Sequence, residues 1–171
     1  MQSSWSRVLD GISRRAPAST VDLPLPSAPP SGRYEILNRI GSGGMGTVYR
    51  TLDRLNGRVV TLKRLRREHS DDPSFVAMLA AEARVCARLD HPGIVKVFEF
   101  GQIEGQHYLA MELVDGWTLR DVFDACARAG RAVPVAFLAH VALGVSEALA
   151  YAHAFTDERG VALGLVHRDV N

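Results

Sequence analysis

Cysteine is scarce in this chain: only Cys86 and Cys126 occur among 171 residues. They lie far apart and form no C-x-x-C pair, which excludes a disulfide framework and a zinc ribbon. Both fall in helix-like stretches, where a small buried thiol is the expected role, and a reducing cytoplasm suits them. A surplus of either charge is also missing. Lys and Arg number 20 against 19 Asp and Glu, a formal net charge of +1, so no global pull toward nucleic acid or anionic lipid is expected. The basic and aromatic interleaving of a nucleic-acid reader is absent too. The N-terminus has no apolar core of the signal-peptide kind, and no stretch reads as long enough to span a bilayer, so no membrane segment is expected in this chain. His69, His107, His140 and His153 show no metal-ligand spacing, and no metal site is assigned to them. What remains, 47% hydrophobic and 23% charged residues, suits a chain that buries a core.

Residues 1–33 read as a disordered tail. Pro17, Pro24, Pro26, Pro29 and Pro30, interleaved with Ser and Ala, give a stretch too poor in apolar surface to order itself. Trp5, Val8, Leu9 and Ile12 follow helical spacing there, but over a length that is marginal alone. From Tyr34 the pattern becomes regular. Strands are expected at Tyr34 to Ile40, Thr47 to Leu52 and Arg58 to Lys63, the last two joined by the Asn56-Gly57 turn. Asp72-Pro73 offers an N-cap and a first-turn proline for a helix running to about Leu89. Two further strands, Ile94 to Phe100 and Gln106 to Met111, are expected to join through Gly101 and Gly105. Thr118 opens a second helix with a capping box, and Pro134 a third whose apolar stripe ends near His153.

The stretch Ile40 to Tyr49 places Gly41, Gly43 and Gly46 in the spacing G-x-G-x-x-G, with Val48 two residues on. Glycines at that spacing let backbone N–H groups approach a phosphate with no Cβ in the way. No helix opens after the third glycine and no G-K-[ST] follows, so neither a dinucleotide fingerprint nor a Walker loop fits. Strand, glycine turn, strand is a hairpin flap over a ligand, or simply a hairpin with a flexible tip. Glu82 falls within the apolar stripe of the first helix. A carboxylate there needs a cation, and Lys63 is the natural partner, since alternation puts Val59, Thr61 and Lys63 on one strand face. The bland reading leaves Glu82 solvated at the stripe's edge. His167-Arg168-Asp169 follows the strand-like Leu165-Val166. It is either a surface loop or a site where Asp169 accepts a hydroxyl proton.

Taken together, G-S-G-G-M-G-T-V, V-V-T-L-K, Glu82, H-P-G-I-V, M-E-L-V-D-G and V-H-R-D, in this order across Tyr34 to Asn171, resemble a eukaryotic-type (Hanks-type) serine/threonine protein kinase of the sort also found in bacteria. The resemblance implies an α+β, protein kinase-like fold. A complete N-terminal lobe over 34–114, a five-stranded antiparallel sheet plus one helix, is followed by the start of a truncated helical C-terminal lobe over 115–171. It implies transfer of the ATP γ-phosphoryl group to a protein Ser or Thr hydroxyl. ATP would lie under Ile40, Gly41, Ser42, Gly43, Gly44, Met45 and Gly46, with Val48 and Thr61 against adenine and Met111 behind it. Backbone groups of Glu112 and Val114 would bond the adenine edge, Lys63 would hold the phosphates and pair with Glu82, and Asp169 would be the catalytic base. Arg168 would organise a phosphorylated activation segment. Three departures stand out. Thr61 replaces the usual Ala, Asn171 replaces the usual Lys, and the Mg2+ ligands of the family (a catalytic-loop Asn and the D-F-G Asp) lie beyond Asn171. The chain is therefore expected to be inactive alone, or to be a nucleotide-binding or regulatory pseudokinase module that works by contact.

Overall fold

The computed structural model describes residues 32–166. The Trp5 to Ile12 stripe and the roles expected of Arg168, Asp169 and Asn171 lie outside the described residues. The described residues divide into two units, one of 32–114 with 148–166 and one of Asp115–Glu147.

The first unit is built on five antiparallel strands: β1 Tyr34–Ser42, β2 Gly46–Asp53, β3 Arg58–Leu65, β4 Val97–Ile103 and β5 Gln106–Glu112. Their order is β1-β2-β3-β5-β4. Alternation along β3 decides which side is filled. Val60 and Leu62 point one way and are buried with Tyr34, Tyr108 and Ala110, with Phe98 and Ile103 packed against them. β1 and β5 are three places apart in the order, yet the Tyr34 and Tyr108 rings lie 5.5 Å apart, edge to face. Strands neighbour each other at roughly 4.8 Å, so the two long side chains span the intervening strands across the buried face.

Turn chemistry sets the register. Gly57 takes a left-handed φ of 65° between β2 and β3, and Glu104 and Gly105 take φ of 50° and 76° between β4 and β5. Two consecutive left-handed residues suit the right-handed twist of a two-residue hairpin. β4 lies further along the chain than the apolar run Ile94-Val95 suggests. Ile94 N–H instead donates to His91 O at 2.9 Å in a turn. Gly101 is consequently inside β4 and not in the connection to β5. A Cβ there would come within 2.6 Å of the Tyr108 hydroxyl.

Two helices follow β3: α1 Arg67–Ser70, a single turn, and α2 Pro73–Arg88. Ser70 Oγ accepts from His107 N–H at 2.9 Å, tying α1 to β5. Asp72 Oδ1 accepts from the N–H groups of Ser74 and Phe75, at 2.9 and 3.2 Å, and Pro73 fills the first turn. Cap and proline thus fix where α2 begins. The helix lays Ala80, Ala83, Arg84 and Ala87 along Val97 to Phe100 of β4, leaving a cleft of about 220 Å³ between them.

In the second unit, α3 Leu119–Arg128 opens with the expected capping box. Thr118 Oγ1 accepts from Asp121 N–H and the Asp121 carboxylate accepts from Thr118 N–H. Ala125 and Cys126 are its buried residues. The last helix, α4 Val135–His153, runs 19 residues; it begins in this unit, and its residues 148–153 belong to the first. Its mean hydropathy of 1.6 and its length suffice, by composition alone, to cross a membrane. This corrects the expectation that no stretch is long enough. The large apolar residues form a stripe, but Ala136, Ala139, Ala142, Gly144, Ala150 and Ala152 between them leave scarcely any polar face. A helix apolar all round belongs either in a protein core or in lipid.

Candidate functional site

The face of the sheet opposite the Val60–Leu62 core carries the residues singled out around Lys63. Val48, Lys63 and Leu109 lie abreast on β2, β3 and β5, and one pleat along Thr61 lies beside Met111. Thr61 is 8% exposed. Lys63, Val48 and Met111 are half-buried.

One end of this face is covered by the turn between β1 and β2. Gly43 N–H donates to Gly46 O at 2.9 Å, closing the tip. Arg66, just past β3, anchors it twice: its N–H donates to Met45 O and its Nη2 to Gly43 O, each at 3.1 Å. Lys63 Nζ then lies 3.9 Å from Met45 Sδ. A Cβ on Gly46 would fall 2.1 Å from Arg64 O, so no larger residue fits where β2 meets β3. Gly41, Gly43 and Gly44 face open space, and Ser42 is exposed beside them. That is room for an anionic ligand at backbone distance, with an ammonium beneath. Ile40 at the flap's base is 49% exposed.

Glu82 is placed differently from the expectation. It is exposed on α2, and no ion pair joins it to Lys63 among the described residues. The cause is the helix's rotation. Ala83 is the buried residue of α2, and its neighbour Glu82 lies one step of about 100° around the axis, off the face turned to β4. Glu112 also differs in part. Its N–H donates to Lys96 O at 2.8 Å, and its carboxylate accepts from Lys96 N–H at 3.2 Å. A bond from Glu112 to a ligand therefore has to come from its carbonyl. Val114 is 66% exposed. Among the described residues no group of three or more His, Cys, Asp or Glu could hold a metal ion.

Two arginines that sequence reasoning passed over organise the unit. Arg66 carries the flap; no spacing rule marks it. Arg33, at the edge of the supposed tail, donates to both carboxylate oxygens of Asp53 at 3.0 and 3.1 Å and to Glu99 at 2.6 Å. Glu99 also accepts from the Tyr108 hydroxyl. The Arg33 hydrogen bond holds Asp53 down at about 2, helped by the Asn56 side chain and Leu55 N–H and opposed by burial. Burial, then the Glu99 charge, pushes Tyr34 up to about 12. Burial also raises the Cys86 thiol, with Glu82 adding to it, which argues against a nucleophilic role.

Residues 34–171 match the protein kinase domain family. The chain is 34% identical over 152 residues to the tyrosine-protein kinase MasK of Myxococcus xanthus, covering 86% of this chain and 23% of MasK. It is 40% identical over 145 residues to the serine/threonine-protein kinase PknA of Mycobacterium tuberculosis H37Rv, covering 82% of this chain and 31% of PknA. The crystal structure of the Mycobacterium tuberculosis PknI kinase domain superposes with a TM-score of 0.64 at 32% identity, covering 81% of this chain and 52% of that one. The chain thus spans about a quarter to a third of the length of these curated relatives.

Proposed function

This chain belongs to the protein kinase domain family, and on that premise we propose that it is the ATP-binding part of a serine/threonine protein kinase. The observation that carries the reading is the Lys63 amine beneath the flap tip, on the same sheet face as Val48, Thr61 and Met111. Lys63 holds the α- and β-phosphates as a point charge, while the N–H groups of the Gly41 to Gly46 turn cradle them from above. Val48 and Thr61 hold the adenine faces, Met111 closes the back, and the Glu112 carbonyl and Val114 backbone meet its edge. Asp169 accepts the proton of the Ser or Thr hydroxyl. Magnesium neutralises developing phosphate charge when bound. The D-F-G tripeptide that holds it in the family does not occur in the 171 residues, so transfer by this stretch alone is not expected. We assign 34–114 to the N-terminal lobe, 115–171 to the start of the C-terminal lobe, and the protein to the cytoplasm, in keeping with its free thiols.

A second reading, a module that binds nucleotide without transferring phosphate, is favoured by the exposed Glu82 and by Thr61 and Asn171. A thermal-shift titration with ATP, with and without magnesium, tests both. Ligand at a hundred times its Kd stabilises by about 2.7 kcal/mol, so a rising midpoint is expected. Lys63→Met should weaken ATP about tenfold or more, the effect of removing one charge-assisted hydrogen bond. Equal shifts in the two proteins would remove Lys63 from the site.

A further inference from the structure

Met45 stands at the tip of the flap, 53% exposed, with its sulfur 3.9 Å from Lys63 Nζ. A thioether is a weak acceptor, so this approach restrains the ammonium little. The flap around it is held, because Arg66 bonds both Met45 O and Gly43 O. The sulfur is thus kept close to the amine on the proposed phosphate-binding face and is open to small oxidants.

We propose that Met45 is an oxidation site whose sulfoxide captures Lys63 and withholds it from phosphate; the consequence for nucleotide rests on the reading above, the capture itself does not. The oxidant is a peroxide. The Sδ lone pair attacks one peroxide oxygen, the O–O bond breaks, and sulfur loses two electrons as the S–O bond forms. The departing hydroxide takes the proton left on the new oxygen, so hydrogen peroxide is reduced to water and methionine becomes methionine sulfoxide. The added oxygen closes the gap toward Nζ and accepts a charge-assisted hydrogen bond far stronger than the thioether's. Lys63 is then pinned to the flap, away from phosphates and away from Glu82. Reduction of the sulfoxide releases it.

The chain offers its own controls. Met78 is 57% exposed on α2, and Lys96 is the one other lysine in the sequence. The full chain is treated with dilute hydrogen peroxide. Sulfoxide is mapped by peptide mass spectrometry, and the acetylation rate of Lys63 is measured against that of Lys96. In the wild type, oxidation should slow Lys63 acetylation relative to Lys96, and methionine sulfoxide reductase should restore it. Met45→Leu should show no such slowing after peroxide. Met45→Gln, which puts a carbonyl oxygen near the same place, should show slow Lys63 acetylation without any oxidant. Unchanged Lys63 acetylation in wild-type protein oxidised at Met45 would overturn the proposal, as would equal slowing in Met45→Leu. These readouts use no nucleotide. Slowed acetylation with an unaltered ATP midpoint would therefore count against the nucleotide reading and leave the capture standing.

Discussion

Asp53 is 1% exposed and ionised because Arg33 grips both its oxygens. Its carboxyl is held at about 2, against an ordinary value of 3.8. As pH falls the unfolded chain takes up this proton first, so stability present above about pH 4 should drain away toward pH 2. Urea midpoints measured across that interval should fall in the wild type. In Asp53→Asn that component of the slope should vanish, and a slope unchanged by the substitution would show other carboxylates to be responsible. None of this could be read from the sequence. Arg33 sits beside a proline-rich stretch, and the partners that give it a role lie 20 residues away in Asp53 and 66 away in Glu99. Lys63 and Thr61, by contrast, were legible, since a period of two along one strand fixes their face without knowledge of any partner. Glu82 shows where periodicity stops helping. A stripe residue and its exposed neighbour differ by one step around a helix, and only the packing of Ala83 decides which is which.

At the scale of elements, local chemistry carried most of the information. The start of α2 was legible because Asp72 and Pro73 act on backbone groups within three residues. Asp72→Ala should cost about 1 kcal/mol, read as a lower urea midpoint with an unchanged m-value. A change near zero would mean that packing against β4 alone fixes where α2 begins. The position of β4 was less legible, because Ile94-Val95 is as apolar as a strand and the bond from Ile94 N–H to His91 O, not hydropathy, turns the chain there. The cleft of about 220 Å³ between α2 and β4 is lined on the helix side by Ala80, Ala83, Arg84 and Ala87.

For the whole molecule, the order of strands and helices followed from turns and periods, whereas the character of α4 did not. Val135, Leu143 and Val145 are 81%, 58% and 39% exposed, and Ala148 is the helix's buried residue. Amide exchange across 135–147 should therefore be fast in a monomer compared with β3 and β5, whose core residues are buried. Slow exchange there at low concentration would mean that these residues pack more tightly than their exposures indicate. The Arg33 clamp has a mechanical consequence. Its guanidinium rivets β2 to β4, strands that are not neighbours, one residue ahead of β1. A load applied upstream of residue 33 is divided between those two strands, and part of it arrives in the very strand that backs α2.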